Sequence, residues 1–198
     1  MQSRTKWMIA SIICHSLAFG LMVTSLVGDS WAIIQLKYGA HILGNNQVVT
    51  LNGEVLGNYG LWVYCTKNTS ICNRINHFYG QRDSDWFKAC QISATTACIF
   101  ALTAFIAALL NPCCSECAGV ISALNMFLAF ACMTGAIAVF TAKEVTNLDS
   151  SNMIEKRSWG WTFIVAWCSC GSSLFASIVA WLSYTPKRAE PEIESFFF

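Results

Sequence analysis

Four long stretches of this chain carry no Asp, Glu, Lys or Arg, and that feature decides what it can fold into. They run from Trp7 to Gly28, Ala89 to Asn111, Ala118 to Ala142 and Ser158 to Tyr184. Each exceeds the about 20 residues an α-helix needs to cross a bilayer, so the sequence predicts four transmembrane helices. Asn111-Pro112 breaks the apolar run between the middle two. Charged residues make up 12% of the 198, against roughly a quarter in an ordinary soluble domain. The net charge of +1 gives no electrostatic footprint for nucleic acid. Membrane lipids are the first expected partner.

The first stretch follows Arg4 and Lys6, as a secretory signal would. Its apolar run is longer than the usual 7–15-residue signal core and lacks a small-x-small cleavage site, so it reads as an uncleaved signal-anchor. The layout is then a single domain over residues 1–198. Loops 29–88 and 143–157 lie on one side, and both termini lie on the other, including the tail 185–198.

Basic residues do not orient this layout. Arg4, Lys6, Lys187 and Arg188 flank the terminal spans, but Lys143, Lys156 and Arg157 sit in the second loop. Orientation rests instead on Cys65 and Cys72 and on the sequon Asn68-Thr69-Ser70. Disulfide and N-glycan chemistry both belong to the lumenal or extracellular side. The loops are expected outside, the termini in the cytosol, and the protein in the plasma membrane.

Within the spans, small and polar residues recur at alternating spacings of three and four. The sets are Ser11, His15, Ala18, Met22, Ser25; Ala97, Ala101, Ala104, Ala108; Ser122, Asn125, Ala129, Cys132, Ala136; and Ala166, Cys170, Ser173, Ser177, Ala180. Such stripes let helices approach closely in lipid, and their 3.5-residue period is that of a left-handed bundle. A compact four-helix bundle follows, without a wide aqueous pore. His15 and Asn125 lie on these stripes. Intramembrane polar groups suggest an ion or proton relay, but no acid lies at depth to complete one, so interhelical hydrogen bonding is the expectation.

The first loop reads as strands. Residues 30–37 ("SWAIIQLK"), 47–51 ("QVVTL") and 60–65 ("GLWVYC") favour β structure, and "YGAHILGNN" and "NGEVLGN" between them are rich in turn signals. A two-residue turn at Asn68-Thr69 would make Cys65 and Cys72 cross-strand neighbours, within the roughly 5.5 Å Cα separation of a disulfide. A sheet this small buries little apolar area, so a covalent clip is reasonable. The alternative is two unrelated thiols.

Trp31, then Gly60-Leu61-Trp62, then Cys65 and Cys72, all between a first and a second span, resemble the signature of the claudin superfamily. That superfamily also includes the peripheral myelin protein group and the stargazin-type channel subunits. The resemblance implies a left-handed four-helix transmembrane bundle capped by a small extracellular antiparallel β-sheet, with one strand from the second loop. No catalytic constellation is visible: the histidines 15, 41 and 77 are scattered, no acid pair lies in a plausible cleft and no Gly-rich phosphate loop appears. No enzymatic activity is therefore expected, and Cys113, Cys114 and Cys117 without a nearby His make a poor metal site. No cofactor is expected.

Two functions are compatible with the resemblance. One is a cell-junction protein that self-associates in cis and trans into a paracellular barrier or selective pore. The other is an auxiliary subunit that tunes the trafficking or gating of an ion channel. The long first loop and the sequon between the cysteines are commoner in the sister groups; the short tail favours the junction reading. In a pore, Lys67 and Arg74 beside the cysteine hairpin would give a weak anion preference. Cys113, Cys114 and Cys117 at the expected cytosolic turn are candidates for S-palmitoylation. Phe196 and Phe198 in the terminal "EIESFFF" suit a PDZ partner, which would add the tail as an edge strand.

Overall fold

The computed structural model describes residues 2–36, 41–44, 47–50, 56–66, 71–74, 85–111, 117–148 and 154–184. Four long helices carry the chain across the membrane: α1 (Gln2–Val27), α2 (Asp85–Leu110), α3 (Cys117–Leu148) and α4 (Trp161–Tyr184). They pack in a closed ring, each against its two neighbours.

The small-residue stripes form the inside of that ring. Ser11, His15, Ala18, Met22 and Ser25 are all buried on α1, as are Ala97, Ala101, Ala104 and Ala108 on α2. The large apolar side chains Ile13, Leu17, Leu102, Ile106, Leu124, Phe127, Phe175 and Ile178 face outward. This inversion of a water-soluble protein is what lipid requires, because lipid tails solvate Leu and Ile as well as a core does. Close approach also brings side-chain hydroxyls to the backbone of the next helix. Ser93 Oγ donates to Cys132 O (2.8 Å) and Ser177 Oγ to Ala123 O (2.9 Å), and Ser122 Oγ lies 3.0 Å from Ala104 O. Hydrogen bonds between membrane helices contribute about 0.6 kcal/mol each on average.

Strands β1 (Ala32–Leu36), β4 (Leu56–Tyr59), β5 (Val63–Thr66), β6 (Ile71–Arg74) and β7 (Ile154–Trp159) form one antiparallel sheet in the order β6-β5-β4-β1-β7. β2 (His41–Gly44) and β3 (Gln47–Thr50) form a separate hairpin. β7 comes from the second loop and pairs with β1, Ala32 opposite Trp159 and Ile34 opposite Arg157.

Several elements differ from the sequence expectations. β2 and β4 fall in segments read as turns, because "HILG" and "LGNY" carry Gly and Asn, which intrinsic propensity disfavours in strands. Ladder pairing to Gln47–Thr50 and to β1 overrides that preference. The third expected strand starts later, at Val63, because Gly60 N donates to Val63 O (2.8 Å) and closes a tight turn over Gly60–Leu61–Trp62. α3 runs on to Leu148, past the expected end at Ala142, since Lys143, Glu144 and the residues after them keep helical geometry once clear of the apolar run. α4 starts at Trp161 because the preceding residues are committed to β7.

Candidate functional site

The site built by the motif residues is the junction that fastens the sheet to the bundle. It begins at the C-terminus of α1, where the last carbonyls have no partner within the helix. Gly28 N takes up Thr24 O (3.0 Å), and the Trp31 indole Nε1–H donates to Ser25 O (2.8 Å). Trp31 therefore caps the helix it follows. Its ring is fully buried and meets Phe140 of α3 and Phe163 of α4 edge-on, at centroid distances of 5.1 and 5.8 Å. Tyr59 lies 6.1 Å from Phe140, Trp86 6.4 Å from it, and Trp159 stacks on Phe163 at 4.4 Å. Edge-to-face aromatic pairs contribute about 0.5–1.5 kcal/mol each beyond their area.

The backbone at residues 28–31 is gripped from two directions. Trp31 N donates to Tyr59 O (2.8 Å), and Gly160 N donates to Trp31 O (3.0 Å). Both glycines here are steric necessities. A Cβ at residue 60 would fall on Gly28 O, and one at residue 160 on Ser30 O. Leu61 is fully buried, and its carbonyl accepts from Gln91 Nε2 of α2 (2.6 Å). Trp62 faces outward with 43% of its surface exposed. Thus three motif residues are buried in the junction and the fourth is left on its surface.

The clip lies one strand further out. Cys65 and Cys72 face each other across β5 and β6 and are joined by a disulfide, with Cα atoms 4.1 Å apart. Asp29 reaches this pair from the other end of the junction. Ser30 Oγ donates to its Oδ1 (2.8 Å), and its Oδ2 lies 3.7 Å from Cys65 Sγ.

Other expected site residues are distributed differently. Lys67, Asn68, Cys113, Cys114, Phe196 and Phe198 lie outside the described residues. Arg74 ends β6 opposite Val63, and Cys117 begins α3. His15 is fully buried and links helices: its Nε2 lies 2.8 Å from Ser122 Oγ and its Nδ1 2.7 Å from Ser11 O. The carbonyl can only accept, so Nδ1 carries a hydrogen. Asn125 corrects the expectation of interhelical bonding: its Nδ2 donates within its own helix, to Ile121 O (3.0 Å).

Asp29, Gln91, Glu144 and Gly160 were not singled out by sequence reasoning. Gly160 had a visible signal, a glycine between two tryptophans at the start of a span. Glu144, assigned to the second loop, is 4% exposed on α3 one turn beyond Phe140. Among the described residues, no three His, Cys, Asp or Glu side chains stand together as metal ligands. The arrangement joins the sheet to the bundle through the Trp31–Tyr59, Gly160–Trp31 and Gln91–Leu61 hydrogen bonds.

In comparison with known proteins, a model of the PMP-22/EMP/MP20/Claudin family matches residues 4–180. No curated protein matches the chain.

Proposed function

Because the chain belongs to the PMP-22/EMP/MP20/Claudin family, we propose that this multi-pass membrane protein acts at cell–cell contacts, outside catalysis. It polymerises in its own membrane, meets copies on the apposed cell, and forms a paracellular barrier or selective pore. The observation that carries this reading is the junction. Lateral polymerisation needs a surface held at a constant angle to the membrane, and the clamped segment 28–31 with the Gln91–Leu61 bond supplies that rigidity.

The sheet ends in β6 and β7, which are edge strands among the described residues. Sheet edges present unpaired N–H and C=O groups and are ready surfaces for association. In this reading the loops are extracellular and the termini cytosolic. Cis contacts use a sheet edge and flanking helices, and trans contacts use the loop tips around residues 36–46 and 148–153. Lys67 and Arg74 make the assembly a barrier or a weakly anion-preferring pore.

Expression in cells without junctions tests the reading. Strand networks at cell contacts and a raised paracellular resistance across the monolayer are the expected outcome. Even surface distribution with co-purification of a channel would overturn it in favour of the auxiliary-subunit class. Dilution potentials of wild type, Lys67→Glu and Arg74→Glu test the charge assignment; a cation-selective wild type refutes it.

A further inference from the structure

The carboxylate of Asp29 stands beside a sulfur that has no hydrogen to give it. Cys65 is in a disulfide, so the 3.7 Å approach of Asp29 Oδ2 to its Sγ is a contact between an acidic side chain and a sulfur atom. The side chain is not there by chance of rotamer. Ser30 Oγ holds the other carboxylate oxygen at 2.8 Å, and Gly60 packs against the Asp29 backbone. Asp29 is on the α1–β1 connection and Cys65 on β5, so the fold itself brings them together.

We infer that Asp29 is an electrostatic guard of the Cys65–Cys72 disulfide, slowing thiol–disulfide exchange in both directions. Exchange begins when an external thiolate attacks one sulfur of the bond. Cys72 is exposed and Cys65 half-buried, so the open route is attack on Cys72 Sγ. A new S–S bond forms between the reagent and Cys72 as the Cys65–Cys72 bond breaks. The electron pair leaves on Cys65 Sγ, which then takes a proton from water. The second thiol of a dithiol reagent, as its thiolate, attacks the reagent sulfur of the mixed disulfide and releases Cys72 as a thiolate. That sulfur is protonated in turn, and the reagent departs as a cyclic disulfide.

Negative charge therefore develops on Cys65 sulfur in the transition state, 3.7 Å from the carboxylate. A unit charge at that range, screened as in water, opposes the step about three- to tenfold. Closure passes through the same three-sulfur anion and is slowed by the same factor. The end states at neutral pH are a disulfide and a protonated dithiol, both uncharged, so the equilibrium is left in place. The clip is kinetically insulated rather than made more oxidising. Lys67 and Arg74 stand two residues from the cysteines with opposite sign, and they are constant in a comparison at residue 29.

The test uses the full chain in detergent micelles with its free thiols first capped by N-ethylmaleimide. Dithiothreitol opens the disulfide, oxidised dithiothreitol closes it, and a heavier maleimide with intact-mass readout follows both. In Asp29→Asn, opening and closing should each accelerate about three- to tenfold, with the equilibrium constant moving less than twofold. The acceleration in the variant should also be larger for anionic mercaptoethanesulfonate than for cationic cysteamine. Unchanged rates would overturn the proposal. So would faster opening alone with a shifted equilibrium, which would make Asp29 a prop for the hairpin fold. If Asn at this position prevents accumulation of the protein, Asp29→Ser carries the same expectations. The result is independent of the cell-contact reading.

Discussion

Replacing Trp31 by Phe separates the two jobs the indole performs. The ring's contacts with Phe140 and Phe163 largely survive, but the Nε1–H that donates to Ser25 O (2.8 Å) does not. Ser25 is fully buried, and its carbonyl belongs to the last turn of α1, where no later backbone N–H of the helix reaches it. Leaving a buried acceptor without a donor costs about 1–3 kcal/mol. The smaller ring also leaves unfilled volume, which at about 24 cal/mol per Å³ adds about 1 kcal/mol. The total is about 2–4 kcal/mol, and a chain of this length loses about 2–4 °C per kcal/mol. Trp31→Phe should therefore lower the midpoint of thermal aggregation in detergent by about 4–16 °C, judged by the surviving monodisperse peak on gel filtration. Trp62→Phe is the matched control, because that ring is 43% exposed and should move the midpoint little. Equal shifts in the two variants would refute the capping argument, since they differ mainly in burial and in the indole bond.

Glycines should split by what surrounds them: Gly160→Ala would drive a Cβ into Ser30 O and prevent accumulation of folded protein, whereas Gly171→Ala meets nothing within 4 Å and should raise the thermal midpoint slightly. Thr162 Oγ1 is buried with no hydrogen-bond partner among the described residues, so Thr162→Val should stabilise by about 1 kcal/mol, read in the same melting assay; destabilisation would mean that the hydroxyl is satisfied. His15→Phe and Ser122→Ala should each destabilise, with a double-mutant coupling of about 0.5–1.5 kcal/mol that identifies their shared bond. Cys65→Ser, Cys72→Ser and the double variant should show the same loss of surface expression by flow cytometry, because all three remove one bond. Glycosidase treatment should shift the wild type on a gel and leave Asn68→Gln unshifted.

The bundle was legible because lipid imposes a simple rule. With apolar residues on every face, the distinguishing pattern is size, and the stripe from Ser11 to Ser25 lines the interior at every member. The rule weakens where polarity and packing part company. Asn125 lies on the inner stripe of α3 but is only half-buried, and it satisfies its amide on its own helix. Sequence spacing gave its angular position and not the route of its hydrogen bond. The cysteine clip was legible for a different reason: the register of β5 against β6 is local in sequence, and Cys65 opposite Cys72 follows from counting.

The junction is less legible because its partners are distant in sequence. β1 pairs with β7 across more than a hundred residues, and no local pattern in "IEKRSW" announces that ladder. A strand with Glu, Lys and Arg at its centre reads as a solvated loop until β1 supplies its backbone partners. Gly160 and Gly60 share this character. Each is required by the backbone of residues 28–30, so neither is explained by its own neighbours in the chain. Asp29 goes one step further. From sequence it is a polar residue leaving a membrane helix; only the fold of β5 beside the α1–β1 connection sets its carboxylate against the disulfide. The motif thus marks both what packs and where distant segments cross, and the residues completing each crossing are visible only after the sheet is assembled.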